Sequence, residues 1–260
     1  MAKSSWAKFP HPEKAYVYEG ASLKKHWDRL HRGDCEPFPK DEAVQEAWRA
    51  YHQGDFGRAI EAGLAAGADG ANVANKSQAI YATYLEKAGP RKAKLFQEAM
   101  ERGEAAMQAR PRDANAHYFY AMAAGRYGQE ISIAKALAQG LGGRIKEALD
   151  KAIKLQPKHA DAQIALGTWH AEIIGKVGGM VGKLTYGASK DAAVEHFQKA
   201  LKLNPDSAIT RIEYANGLVL LFGKDRMKDA EKLYAEAAKQ KPLDAMERLD
   251  VEAAKAELED

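Results

Sequence analysis

The sequence predicts an all-α chain built from stacked helix pairs, and three observations predict it. One spacing of small residues repeats in four stretches, each closed by a proline. A second series of helix-forming stretches follows those prolines. Ala, Glu, Lys, Leu and Arg dominate the middle of the chain, a composition that favours helix at nearly every position.

The four stretches are EAMERGEAAMQARP, RIKEALDKAIKLQP, DAAVEHFQKALKLNP and DAEKLYAEAAKQKP, ending at Pro111, Pro157, Pro205 and Pro242. Ala106, Ala152, Ala200 and Ala237 each stand five residues before the proline. Seven residues earlier come Ala99, Ile145, Ala193 and Ala230, with Gly103, Leu149, Phe197 and Tyr234 between. That spacing puts small residues on one helical face, where a neighbouring backbone can approach, and the proline blocks continuation. After the first three prolines come DANAHYFYAMAAG, HADAQIALGTWHA and DSAITRIEYANGL, with Asp113 and Ser207 as candidate N-caps. Upstream, AVQEAWRAYHQGDFGRAIEAGLAAG reads as another helix pair, and VANKSQAIYATYLEKAG supplies the helix paired with the one ending at Pro111.

Helix, turn, helix and proline in this order resemble the tetratricopeptide repeat. The resemblance implies a right-handed helical solenoid over residues 41–242, with a C-terminal capping helix over 243–260. The prolines stand 46, 48 and 37 residues apart, against about 34 for the plain repeat. The excess falls near residues 128–143 and 171–188, where Ile173, Val177, Met180 or Val181, and Leu184 keep helical spacing. Lengthened or inserted helices are therefore expected there. Together with IKEALDKAIKLQP, LGTWH and YGASKDAAVEHFQKALKLNP, these insertions resemble the helical domain of the regulator of microtubule dynamics family and related bacterial proteins. That family is associated with microtubules and, in a membrane-tethered branch, with lipid binding.

Residues 1–40 stand outside the array. SLKKHWDRLH suits one short helix closed by Gly33, and Trp6, Phe9, Tyr16, Tyr18 and Trp27 are too many aromatics for a disordered tail. This segment is expected to cap the first repeats.

Charge and chemistry narrow the function. A net charge of +3 gives no warrant for nucleic-acid binding. Seven acids and two bases from Leu243 to Asp260 read as a solvated helix face. Cys35 is the only cysteine, no apolar run reaches membrane-span length, and the start lacks a signal-peptide core, so a reducing cytoplasm is the expected compartment. GKVGGMVGK departs from a phosphate loop: Val177 stands where a glycine is needed and Leu184 replaces the required Ser or Thr. Close helix packing around those glycines is the expectation, with Lys176 and Lys183 as candidate anion contacts. Neither the histidines nor Cys35 fall at metal or nucleophile spacings, so no enzyme, metal or cofactor is expected.

The repeat resemblance implies ligand contacts at fixed places along the first helix of each unit. Here these are Asn115, Tyr118, Met122 and Arg126, then Asp161, Ile164, Thr168 and Glu172, then Ile209, Ile212, Asn216 and Val219. Two readings of this wall stay open: an exposed groove, or a surface covered by the N-terminal segment or the insertions. The expected function is a non-enzymatic scaffold whose concave groove takes a protein or peptide partner. The alternative is a carrier or sensor of an apolar or lipid-like small ligand in a groove closed to a tunnel.

Overall fold

The computed structural model describes residues 6–259, and every regular element among them is helical. An extended stretch with one 3-10 turn, Lys14–Tyr16, leads into α1 (Ser22–Leu30). The array then runs through α2 (Glu42–Gln53), α3 (Phe56–Ala65), α4 (Ala71–Tyr84), α5 (Pro90–Ala109), α6 (Ala114–Ile131), α7 (Ile133–Ala138) and α8 (Leu141–Leu155). It continues with α9 (Ala160–Val177), the single turn α10 (Gly179–Val181), a π turn (Gly182–Tyr186), α11 (Lys190–Leu203), α12 (Ala208–Phe222), α13 (Met227–Ala237) and α14 (Ala245–Ala256).

Local chemistry starts and stops these helices. Asp113 accepts hydrogen bonds from the backbone N–H groups of Asn115 and Ala116, and Ser207 accepts one from Thr210, so both cap as their sequence context predicts. The helices α5, α8 and α11 end two residues before Pro111, Pro157 and Pro205. The small residues of the repeat are buried: Ala99, Ala152, Ala193, Ala200 and Ala237 are each 0% exposed. Gly103 shows why size matters, because a Cβ there would stand 2.8 Å from the Cα of Tyr120 on the next helix.

The first helices of the pairs, α2, α4, α6, α9 and α12, form an inner layer, and their partners α3, α5, α8, α11 and α13 lie outside. The last helix, α14, packs against both α12 and α2, so the inner layer closes on itself. Leu249 of α14 joins Trp27, Trp48 and Tyr51 in one apolar core.

The two insertions are helical but unlike one another. α6 runs on to Ile131, where Ser132 at φ 84° breaks it and caps α7. Leu137 of α7 then packs on Gly142. α9 runs on to Val177 and is broken by Gly178 at φ 82°. That break rotates the following turn, so Met180 and Leu184 do not extend the buried face carrying Ile173; they stand 78% and 81% exposed. Of the glycines read as a packing face, Gly175 meets Leu220, whereas Gly178 and Gly179 have nothing close enough to need a glycine.

The N-terminal segment lies across the inner layer. Trp6 packs edge-on against Tyr81, and the Tyr18 hydroxyl donates to the carbonyl of Leu243 at 2.7 Å. Arg29 pairs with Glu247 of α14 at 2.6 Å, and Arg32 with Asp206 at 2.8 Å.

Candidate functional site

Because each repeat restores the chain direction, the inner helices run alike, with their N-terminal ends together. Around them remains a cavity of about 160 Å³. Its floor is the turn carrying Gly33 and Asp34, with Lys76, Asp161, Asn204 and Ser207; its far end holds Tyr84, Gln129, Thr168, Glu172 and Glu213. Gln129 is exposed, whereas Asp34 is 1% exposed, so the cavity opens at the C-terminal ends of α4, α6 and α9.

A buried charged network builds the floor. Asp34 accepts from Lys76 Nζ at 2.6 Å, from His31 Nδ1 at 2.9 Å and from the N–H of Glu36 at 3.2 Å. Burial alone would lift the Asp34 carboxyl, but Lys76 and His31 outweigh it and hold it well below the usual carboxylate range. Burial likewise opposes the Lys76 charge, yet Asp34 and Asp161 hold its ammonium above the ordinary lysine range. Gly33 is fixed by contact: a Cβ there would lie 2.3 Å from Asp161 Oδ1, and the Asp161 N–H donates to the Gly33 carbonyl at 3.0 Å.

Behind Asp34 the chain of contacts reaches the last helix. His31 Nε2 faces His52 Nε2 at 3.3 Å, and His52 Nδ1 faces Asp244 Oδ2 at 2.7 Å. Burial outweighs the pull of Asp34 and pushes the His31 imidazolium down to about 4.

The wall above is rich in carboxyls. Arg126 pairs with Glu213 at 2.9 Å, and the Thr168 hydroxyl donates to the other Glu213 oxygen at 3.2 Å. Gln129 donates to Glu172 at 2.5 Å, and the Tyr84 hydroxyl donates to Asp250 Oδ1 at 2.5 Å. The Asp161 side chain has no hydrogen-bond partner among the described residues. Burial pushes its carboxyl up to about 7, opposed by Lys76 and aided by Asp34. Burial also raises Glu172, and lifts Asp250 well above the usual range.

Of the groove positions expected from the repeat, Tyr118, Met122, Arg126, Asp161, Ile164, Thr168, Glu172 and Ile209 line this cavity. Four do not. Asn115 lies below the floor, donating to Glu36 at 2.5 Å and facing His159 Nε2 at 2.8 Å. Ile212 is packed with Val251 under α14. Asn216 is exposed and accepts from the Tyr234 hydroxyl; Val219 is half-buried outside the cavity. For Ile212 the reason is α14, which covers that part of the wall α12 would otherwise present. Lys176 and Lys183 are exposed beside Met180 and Leu184, away from the cavity.

Sequence reasoning missed Asp34, Lys76, Tyr84, Glu213, Met246 and Asp250. A signal existed for one of them. In α4 the run Asn72, Asn75, Lys76, Ser77 and Gln78 allows no separate polar face, so some of these had to be buried and paired. Asp34, Asp244 and Asp250 gave none, since Lys76, His52 and Tyr84, which pair with them, lie far away in the chain.

Among the described residues no group of three His, Cys, Asp or Glu is placed to hold a metal ion, and no helix is long and apolar enough to cross a membrane. Fold and cavity together define a tetratricopeptide-type helical array closed around an internal site. The chain belongs to the family of regulator of microtubule dynamics proteins 1-3, whose family model matches residues 72–259. The match begins at α4, leaving the N-terminal segment and first helix pair outside. The structure is similar to TTC0263, a thermophilic TPR protein of Thermus thermophilus, at TM-score 0.57 and 18% identity, covering 82% of this chain and 97% of that one. YrrB, described as a TPR protein with an unusual peptide-binding site, aligns at TM-score 0.41 and 13% identity, covering 91% of this chain and 100% of that one. No curated protein sequence matches the chain.

Proposed function

We propose that this protein is a non-catalytic interaction scaffold whose partner inserts one anchoring side chain through the mouth of the central cavity. The supporting observation is the closure of the concave wall by the chain's own N-terminal segment and α14, which leaves a cavity of about 160 Å³ in place of a long groove. A recognition helix laid along the inner layer would have to displace both covers. A single anchor displaces nothing.

The test is capture of a partner from host lysate by the wild type, an Ala165→Phe variant that fills the cavity, and a Met180→Asp control on the exposed surface. Capture should fall at least tenfold for the first variant and stay level for the control, both keeping the wild-type helical signal. Undiminished capture by Ala165→Phe would sink cavity anchoring.

The second reading is a carrier of an apolar small ligand. Ile80, Met122, Ile164, Ile209 and Met246 in the lining favour it. The carboxyls of Asp34, Asp161, Glu172, Glu213, Glu247 and Asp250 in the same lining weigh against it, because an apolar guest would strip them of water and return no hydrogen bond. Native mass spectrometry of protein from its own host would show such a ligand retained.

A further inference from the structure

We propose that the anchor is cationic: the cavity receives a lysine or arginine side chain of the partner, with its charge between Asp161 and Asp250. This rests on the cavity-anchor reading above and specifies its chemistry.

Charge bookkeeping along the wall leads there. Of the carboxyls in the lining, Asp34 is neutralised by Lys76, Glu213 by Arg126 and Glu247 by Arg29. Asp161, Glu172 and Asp250 have no cation of their own. Asp250 is 2% exposed and borders the cavity, yet its single side-chain hydrogen bond among the described residues is the one from Tyr84 to Oδ1. Oδ2 is left without a donor. Asp161 lacks any side-chain partner among the described residues. With few donors around them, desolvation lifts both carboxyls toward their neutral forms. An entering ammonium or guanidinium would supply the missing donors.

One further feature agrees with a cation: the lining holds the rings of Tyr84, Tyr118 and Trp169, and aromatic faces attract cations within a desolvated site. The stem of a lysine or arginine would lie against Met122, Ile164 and Met246. The volume suffices, since a cavity of about 150 Å³ admits a benzene-sized guest.

The experiment uses full-length protein labelled with 13C at the methionine methyls, titrated with acetyl-lysine methylamide, acetyl-arginine methylamide and the uncharged isostere acetyl-norleucine methylamide. The basic probes should shift Met122 and Met246 saturably, leave exposed Met180 and Met227 unmoved, and bind at least tenfold tighter than norleucine. Asp250→Asn and Asp161→Asn should each weaken the basic probes at least fivefold and leave norleucine unchanged; the methyl spectrum itself reports that each variant is folded. Equal binding of norleucine and lysine would overturn the cationic anchor and leave the cavity-anchor reading standing. No shift at Met122 or Met246 with any probe would overturn both.

Discussion

Glu36 and Asp161 are half-buried among other carboxyls, and their titration shapes how stability changes with pH. Burial, reinforced by Asp34 and Asp113, pushes Glu36 up to about 8, and Asp161 is pushed up to about 7. Both keep a proton in the folded chain that the unfolded chain has already lost, so each lowers stability as pH rises to its folded value. His31, His159 and His170 act oppositely: burial pushes each down to about 4, so the folded chain lacks protons the unfolded chain binds, and stability rises with pH up to about 6.5. The opposing effects overlap below about pH 6.5, where the unfolded histidines still titrate; above it the acids act alone. Urea midpoints should therefore fall between about pH 6.5 and 8, with a slope of up to about 1.4 kcal/mol per pH unit for each group. Glu36→Gln should flatten that fall. A wild-type midpoint that climbs across the same interval would contradict the burial of these carboxyls.

At the scale of helices, the repeat rests on close approach between outer and inner layers. Gly103 of α5 touches the backbone of Tyr120 on α6, so the neighbour cannot simply rotate away from a new methyl. Overpacking costs roughly 1–3 kcal/mol, while replacing a helical glycine by alanine returns about 0.5–1 kcal/mol. The steric cost wins. Gly103→Ala should destabilise the protein by about 1–2 kcal/mol in chemical denaturation, and a stabilised variant would mean that the helices separate more readily than this packing allows. Gly167 and Gly217 serve a related purpose, flanking the Phe197 ring from α9 and α12. The caps and terminating prolines were legible because they act within a few residues of where they stand.

For the molecule as a whole, closure decides the site. Residues 243–260 tie the ends together through Asp244 to His52, Glu247 to Arg29 and Asp250 to Tyr84. Removing them should open the inner layer at the seam between α2 and α12. Hydrogen exchange followed by mass spectrometry should then show rapid exchange in residues 21–36 and in α2, with α9 and α11 still protected. Unchanged protection of residues 21–36 would show that the N-terminal segment holds its place without the last helix.

Sequence by itself determined the helical repeat and the face on which small residues meet, because helix periodicity, capping and the missing N–H of proline are local. It also placed Tyr118, Met122, Asp161 and Ile164 on the inner wall, since a fixed register within each unit carries them there. Only the tertiary structure decided that the wall is roofed and that its floor is charged. Lys76 reaches Asp34, Asp244 reaches His52 and Tyr84 reaches Asp250 from distant segments, and nothing in the chain nearby announces these neighbours that burial will bring. Closure is a long-range event. The same burial that leaves carboxyls short of donors gives the cavity its chemical preference.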